Sequence, residues 1–239
     1  MGSLLCDAMV HRAMPCGSAA GNRLWMNRRP QPKDEEVSSW WNAMFTWGWT
    51  IGVMSTTDRR PIVRICFVCT GNICRSPMAE VMFRQMVEEV GLGDDVSIAS
   101  AGTGEWHVGE RVDPRTRQAL DRAGYRGELQ RARQFELAWF SDFDLIITFD
   151  RGQRRILRSW APTQDDRALI RPLLSFLDDS GPEAEILDPY YGNDELFDQV
   201  RDQIEAPCRA LLQQMLPVVR AAKMSRPPTA PVPEPAPKE

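Results

Sequence analysis

Histidine, lysine and long apolar runs are scarce in this chain of 239 residues. The two histidines, His11 and His107, lie far apart without a cluster of other metal ligands, so we expect no metal and no other cofactor. Only three of the 29 basic residues are lysine, and we interpret the excess of arginine as codon bias. The formal net charge of −4 is opposite to the basic balance of a nucleic-acid-binding protein, so we expect no nucleic-acid partner.

The sequence also lacks a membrane-spanning segment and a secretory signal. The most apolar stretch, residues 40–54, has about 15 residues and is interrupted by glycine and polar side chains, whereas a span needs ~20 apolar residues. Residues 1–18 lack the charged start and the sustained apolar run of a signal peptide. We therefore expect a cytoplasmic protein with no membrane span.

The two ends differ in composition from the middle of the chain. Five of the eight tryptophans precede Met54, and six of the eighteen prolines follow Ser225. Residues 1–60 are interpreted as a poorly ordered extension, or as a non-native segment if translation begins at Met54. Proline disrupts helices and ladders, so residues 223–239 are predicted to be a disordered tail. The remaining residues, 61–222, are numerous enough to form one domain with its own core.

Within residues 61–222, strand-like apolar runs alternate with helical periodicity. Strands are predicted at residues 62–69, 96–100, 145–149 and 169–173, and helices at residues 76–90, 114–123, 151–160 and 194–219. Pro207 is expected to bend or split the last helix. The alternation predicts an α/β fold, a three-layer doubly wound sandwich with a four-stranded parallel sheet flanked by helices. Ligands of such folds bind at the carboxyl ends of the strands, where Cys69 ends the first one.

The loop after the first predicted strand has the composition of an anion-binding site. Residues 69–77 read CTGNICRSP. The positive end of the following helix favours the thiolate of a nearby cysteine and attracts anions. Gly71 and Asn72 tolerate left-handed backbone, so the loop can turn its amide protons toward an anion. Arg75 offers a planar fork for two phosphate oxygens, and Ser76 can cap the helix or donate to the thiolate.

The spacing of a cysteine and an arginine is not specific by itself, because Cys6 and Arg12 share it without a strand or a helix start. The longer string FVCTGNICRSPMAE closely resembles the low-molecular-weight protein tyrosine phosphatases. The resemblance covers about residues 63–216. It includes the strings SAGT, ARQ and DPYY, at residues 100–103, 132–134 and 188–191.

This resemblance implies a hydrolase that acts on phosphotyrosine. Cys69 would be the nucleophile, Arg75 would bind the transferring phosphoryl group, and Asp188 would be the general acid and then the base for water. The other loop positions would bind the phosphate: Thr70, Gly71, Asn72, Ile73, Cys74 and Ser76. An aromatic slot too deep for phosphoserine would hold the phenyl ring: Trp106, His107, Tyr190 and Tyr191.

Several of these residues could have a structural role instead of the functional one that the resemblance implies. An aspartate before proline, such as Asp188, is by itself more typical of a turn, and the two tyrosines that follow could be packing residues. Cys74 could trap an oxidised Cys69 as a disulfide, or it could fill space in the core. Many family members have histidine at the position of Gln130, where it helps to hold the loop, so this glutamine puts the rate in question.

Three other functions are compatible with parts of the sequence. A bacterial arginine phosphatase shares the fold and loop, although it resembles CTGNTCRS, with threonine at the position of Ile73. Arsenate reductases need two downstream cysteines, whereas only Cys208 follows Cys74. A silent phosphoprotein-binding module would lack one of the three catalytic residues, and all three are present. We therefore expect a monomeric phosphatase whose partners are tyrosine-phosphorylated proteins and a cognate tyrosine kinase.

Overall fold

The computed structural model describes residues 60–178, 181 and 184–226. The expectations for residues 1–59, including the apolar stretch at residues 40–54, and for the tail after residue 226 lie outside the described residues. Within the described part of the chain, no helix is both long and apolar enough to cross a membrane.

A parallel sheet of four strands forms the middle of the domain, with the spatial order β2-β1-β3-β4. The strands are β1 Val63–Cys69, β2 Val96–Gly102, β3 Leu145–Thr148 and β4 Ile170–Pro172. The α-helices are α1 Arg75–Glu89, α2 Pro114–Arg122, α3 Arg151–Trp160, α4 Gln164–Ala168 and α5 Asp194–Ser225. Two short 3₁₀ helices lie at Leu137–Ser141 and Leu173–Phe176. The predicted α/β class and four-stranded parallel sheet are confirmed, and α4 was not predicted.

The sheet separates two apolar cores, because successive side chains of a strand point to opposite faces. Ile65 and Phe67 of β1 belong to the core that also contains the buried faces of α1, α2 and α5. Cys66 and Val68 belong to the other core, where they join Leu157 of α3. The domain therefore has three layers, and β1 is buried on both sides, as its continuous apolar run predicts.

Local signals set the helix boundaries that surround the site. The Asp150 side chain accepts a hydrogen bond from the Gln153 amide and forms a capping box that begins α3. Asp113 begins α2 by accepting a hydrogen bond from the Arg115 amide, with Pro114 in the first turn. Gly91 and Gly124 follow the ends of α1 and α2 with φ of 73° and 80°, values that glycine adopts readily.

The last helix departs from the sequence prediction. It runs continuously from Asp194 to Ser225, with Pro207 and Pro217 inside it, so of the bend or split expected at Pro207 the split does not occur. Pro207 is buried, and the helix packs along α1 with its apolar face in the core. This burial offsets the missing backbone hydrogen bond. The helix also includes residues 223–225, which were assigned to the disordered tail.

Candidate active site

The β1–α1 loop, residues 70–74, is a tight turn at the carboxyl edge of the sheet. Asn72 has a φ of 57°, the left-handed conformation that asparagine tolerates better than most residues. A Cβ atom at Gly71 would lie 2.8 Å from Cδ2 of His107, so the loop passes directly beneath that imidazole. A Cβ at Gly102, the last residue of β2, would lie 2.7 Å from the Thr70 carbonyl oxygen. Gly102 is therefore needed for the close approach of two backbone segments, whereas a side chain at Gly71 would displace the His107 ring.

The thiol of Cys69 is buried, with an exposed fraction of 3%, and lies among hydrogen-bonding groups. Its Sγ is 3.0 Å from Oγ of Ser76 and 3.3 Å from the Asn72 amide nitrogen, which donates to it. The Ser76 hydroxyl also lies 3.1 Å from the Ala101 carbonyl oxygen. A hydroxyl has one proton, so Ser76 can donate either to sulfur or to that carbonyl.

Asn72 connects the loop to the adjacent strand and to the following segment. Its Nδ2 donates to the hydroxyl oxygens of Ser76 and Ser100, both at 2.9 Å. Its Oδ1 accepts from the Arg133 backbone nitrogen at 3.0 Å, and the Arg133 guanidinium donates to the Ser100 carbonyl at 2.9 Å. Gln130 is exposed. The residue that donates to the Asn72 side chain is Arg133, through its backbone amide. The hydrogen bond to the loop asparagine that was considered for Gln130 is thus made by the Arg133 backbone.

The Arg75 guanidinium is almost completely buried and joins several elements. One terminal nitrogen, Nη1, donates to Asp150 at 2.9 Å and to the Ile186 carbonyl at 3.1 Å. The other, Nη2, donates to Asp188 at 2.6 Å and to the Thr70 hydroxyl at 3.4 Å. The Nε–H of Arg75 is buried and has no hydrogen-bond partner among the described residues. A buried donor of this kind is available to an anion on the loop.

Asp150 and Gln153 contribute to the site but were not predicted. Besides its bond to Arg75, Asp150 accepts from Nε2 of Gln153, and Gln153 also donates to the Thr70 hydroxyl at 3.2 Å. A usable signal was present, because Asp150 follows β3 at the carboxyl edge where ligands of such sheets bind. The capping chemistry of α3 thus also orients the side chains around Arg75.

The DPYY loop, residues 187–192, carries the third predicted catalytic residue. The Asp188 side chain is 50% exposed, and its Oδ1 accepts from the Tyr190 amide at 3.2 Å. The Tyr190 ring lies 5.9 Å from the His107 ring and 4.8 Å from the Tyr191 ring. Tyr191 is 97% exposed, and Trp106 is 72% exposed and packs over Gly104. The wall beside the β1–α1 loop is formed by His107 and Tyr190, with Trp106 and Tyr191 farther out.

Arg115 links the two loops and was also missed by sequence reasoning. Its guanidinium donates to the carbonyls of Gly192 at 2.7 Å and Tyr190 at 3.0 Å, and it pairs with Asp113 at 2.6 Å. The Asp113 amide donates to the Ile73 carbonyl at 2.9 Å. Although partial burial opposes it, hydrogen bonding to Arg115 holds the pKa of Asp113 below its ordinary value.

The two remaining loop residues face the interior. Ile73 belongs to the core under α1, and its carbonyl is held from α2. Cys74 precedes α1 and is 4% exposed, and burial, followed by the charge of Cys69, raises the pKa of its thiol. Burial likewise raises the pKa of Cys66 on β1 and of Cys208 on α5. These two thiols are completely buried, which agrees with the core positions expected from the sequence.

The sequence pattern of the family described as low molecular weight phosphotyrosine protein phosphatase matches residues 64–220. The chain belongs to this family. A curated relative, the low molecular weight protein-tyrosine-phosphatase of Streptomyces coelicolor, is 49% identical over 150 residues, which are 62% of this chain and 91% of the relative. As a member of the family this chain is a phosphatase and therefore a hydrolase.

Solved structures of other phosphatases share its fold. YfkJ from Bacillus subtilis overlays with a TM-score of 0.61 at 37% identity, across 67% of this chain and 98% of that one. The arginine phosphatase YwlE, solved as a cysteine-to-serine mutant with a phosphorylated active-site serine, gives 0.57 at 28% identity, across 64% of this chain and 95% of that one. The fold of this phosphatase therefore occurs with two different named activities.

Proposed function

We propose that this phosphatase hydrolyses phosphotyrosine in proteins through a phosphorylated Cys69. The observation that carries the proposal is the environment of Arg75. Its buried guanidinium contacts Asp188 and Thr70, the residue after Cys69, and its Nε–H has no described partner. A planar donor fork held between a nucleophile and a carboxyl group is suited to an in-line phosphoryl transfer.

In the first step the Cys69 thiolate attacks phosphorus. The S–P bond forms while the bond from phosphorus to the phenolic oxygen breaks, and Asp188 gives its proton to the leaving oxygen. The loop amides and the Arg75 fork stabilise the negative charge on the equatorial oxygens. The dianionic substrate competes with Asp188 for the Arg75 guanidinium.

In the second step water releases the phosphate. The Asp188 carboxylate takes a proton from water, the water oxygen attacks phosphorus, and the S–P bond breaks to return the thiolate. The hydrogen bonds to Cys69 from Asn72 and Ser76 stabilise the thiolate as a leaving group. The phosphorylated active-site serine reported for YwlE supports a covalent intermediate in this family.

The aromatic side chains favour phosphotyrosine over phosphoarginine as the substrate. His107 and Tyr190 contact each other beside the loop, with ring centroids 5.9 Å apart, and together they form an aromatic surface against which a phenyl ring packs favourably. Phosphoserine is too short to place its phosphorus on the loop and also contact this wall. The arginine phosphatase activity of YwlE keeps phosphoarginine as the second candidate.

The setting is proposed to be the cytoplasm of a bacterium, where the protein acts as a monomer on proteins phosphorylated by a cognate tyrosine kinase. The mechanism needs a reduced thiol, and the four cysteines of the described residues are free. Relatives from Streptomyces, Mycobacterium and Bacillus support a bacterial source.

A substrate panel tests this function directly. Phosphotyrosine, phosphoarginine and phosphoserine peptides of the same flanking sequence are compared at equal concentration, with phosphate release as the measurement. We expect the highest kcat/KM for phosphotyrosine and no turnover by the Cys69→Ser variant, which should still bind phosphate analogues. Preference for phosphoarginine would replace the substrate assignment, and normal turnover by Cys69→Ser would refute the covalent mechanism.

A further inference from the structure

A groove lined by arginine runs along one face of α3. Its volume is about 690 Å³, and its arginines are at positions 151, 154, 155 and 158. This spacing places the side chains on one face of a helix. Glu185 also lines the groove and pairs with Arg151 at 2.8 Å. We call this feature the arginine groove.

The arginine groove carries an excess of positive charge on an acidic protein. Among the described residues, no carboxylate forms an ion pair with Arg154, Arg155 or Arg158. Arg155 and Arg158 are exposed, and Arg154 is half-buried. The chain as a whole has a formal net charge of −4. Among the described residues that line the groove, guanidinium groups therefore outnumber carboxylates, and the region attracts anions.

The groove begins next to the Arg75 guanidinium. Arg151 directly follows Asp150, which accepts from Arg75 at 2.9 Å. Glu185 directly precedes Ile186, whose carbonyl accepts from the same guanidinium at 3.1 Å. The pKa of Glu185 is lowered by hydrogen bonds from Arg151 and, to a smaller extent, by the charge of Arg75. The Arg151 end of the groove therefore adjoins the residues that hold Arg75.

We propose that the arginine groove binds an acidic segment of the phosphorylated protein substrate, adjacent in sequence to the phosphorylated residue. This inference rests on the proposed function. A flanking segment is covalently tied to the residue in the site, so weak ion pairs gain from a high effective concentration. The same advantage is not available to a free nucleic acid or to a lipid surface.

The dimensions of the groove limit the length of the segment. Arg151 and Arg158 are seven positions apart, which corresponds to about 10 Å along a helix. An extended peptide covers that distance with about three residues. The preferred substrate should therefore carry about three consecutive acidic residues on one side of the phosphotyrosine. Guanidinium groups bind carboxylates through paired hydrogen bonds, so glutamate and aspartate fit this site.

The test uses the full chain and matched phosphotyrosine peptides with three glutamates or three glutamines, placed before or after the phosphotyrosine. For wild type and one of the two placements, we expect kcat/KM to be about fivefold higher for the glutamate peptide than for the glutamine peptide. This is the gain expected from two exposed ion pairs. The ratio of the two kcat/KM values, glutamate peptide to glutamine peptide, should approach one in the Arg155→Gln/Arg158→Gln variant and, for wild type, at 0.5 M salt. Arg220→Gln, an exposed position on α5, should keep the wild-type ratio.

An aryl phosphate without a peptide separates this inference from the proposed function. Its hydrolysis should be equal in wild type and both variants, and its absence in wild type would contradict the proposed function itself. Equal turnover of the glutamate and glutamine peptides by wild type, or an unchanged ratio in the double variant, would overturn the inference. The inference would also be overturned if the double substitution reduced binding to a single-stranded oligonucleotide or to phosphatidylserine vesicles but left the peptide kinetics unchanged.

Discussion

The β1–α1 loop and the DPYY loop meet at Arg75 but are held by different means. The first is buried from Asn72 to Cys74, with exposed fractions of 3% for Asn72 and 4% for Cys74, and its backbone is bonded to the segment after β2. The second is exposed, and guanidinium groups of Arg75 and Arg115 bind its carboxylate and carbonyls. One loop is shaped by close packing and the other by two long side chains.

This difference fits the two tasks of the proposed mechanism. Phosphate has the same shape in every substrate, so a preorganised, buried set of donors stabilises its transition state without rearrangement. The phenyl group of the substrate must enter and then leave, and water must take its place, so the loop on that side has to be exposed. We therefore expect substitutions at Arg75 to lower kcat/KM for every substrate, whereas the effect of substitutions in the DPYY loop should depend on the leaving group.

The largest effect is expected from Arg75→Lys, which removes the shared contact of the two loops. One ammonium group cannot replace the planar fork that reaches Asp150 and Asp188 together, so we expect kcat/KM to fall about 10³-fold. The loss should be the same for a phosphotyrosine peptide and an activated aryl phosphate, measured by steady-state kinetics. Arg84→Lys on the same helix is the control and should retain activity. A loss below tenfold would contradict the assigned role.

A smaller and more selective effect is expected from Asp188→Asn. The amide keeps the size of the side chain but cannot transfer a proton, so a phenolate that leaves poorly should depart about 10²-fold more slowly. An aryl phosphate with an acidic leaving group should show a much smaller loss in kcat/KM. Equal losses on both substrates would mean that Asp188 supports the loop and does not act as the acid.

The smallest effect is expected from Arg115→Gln, which removes the link between the loops without touching the reacting atoms. The DPYY loop then loses the bonds to its Tyr190 and Gly192 carbonyls, and we expect about a tenfold loss of kcat/KM for the phosphotyrosine peptide. The loss should be smaller for the activated aryl phosphate, as with Asp188→Asn. Arg117→Gln, exposed on the same helix, should have no effect.

The loss of stability caused by Arg115→Gln should depend on pH. The folded-state pKa of Asp113 is lowered, so its pairing with Arg115 stabilises the fold at neutral pH, and this contribution is lost as the pH falls through that pKa. The difference in Tm between wild type and Arg115→Gln should therefore be largest near pH 7 and decrease in acid. A difference that stays constant down to pH 3 would contradict the pairing.

Sequence patterns were informative wherever the structure depends on neighbouring residues. The β1–α1 loop was predictable because its strand, its Gly71 and Asn72 turn and its helix start are contiguous in the chain. The continuity of α5 was not predictable, because Pro207 has a local cost and the packing that offsets it comes from α1. The backbone contact of Arg133 with Asn72 was not predictable for a similar reason, since tertiary packing brings the two residues together.

By itself the sequence determined the fold class, the order of the four strands and of all helices except α4, and the string that identifies the family. Only the tertiary structure decided which distant side chains surround Arg75 and which arginines line a common groove. Asp150 reaches Arg75 from 75 positions away and Asp188 from 113. The physical reason is that periodicity and capping act over a few residues, whereas the partners of a buried charge are selected by how the layers pack.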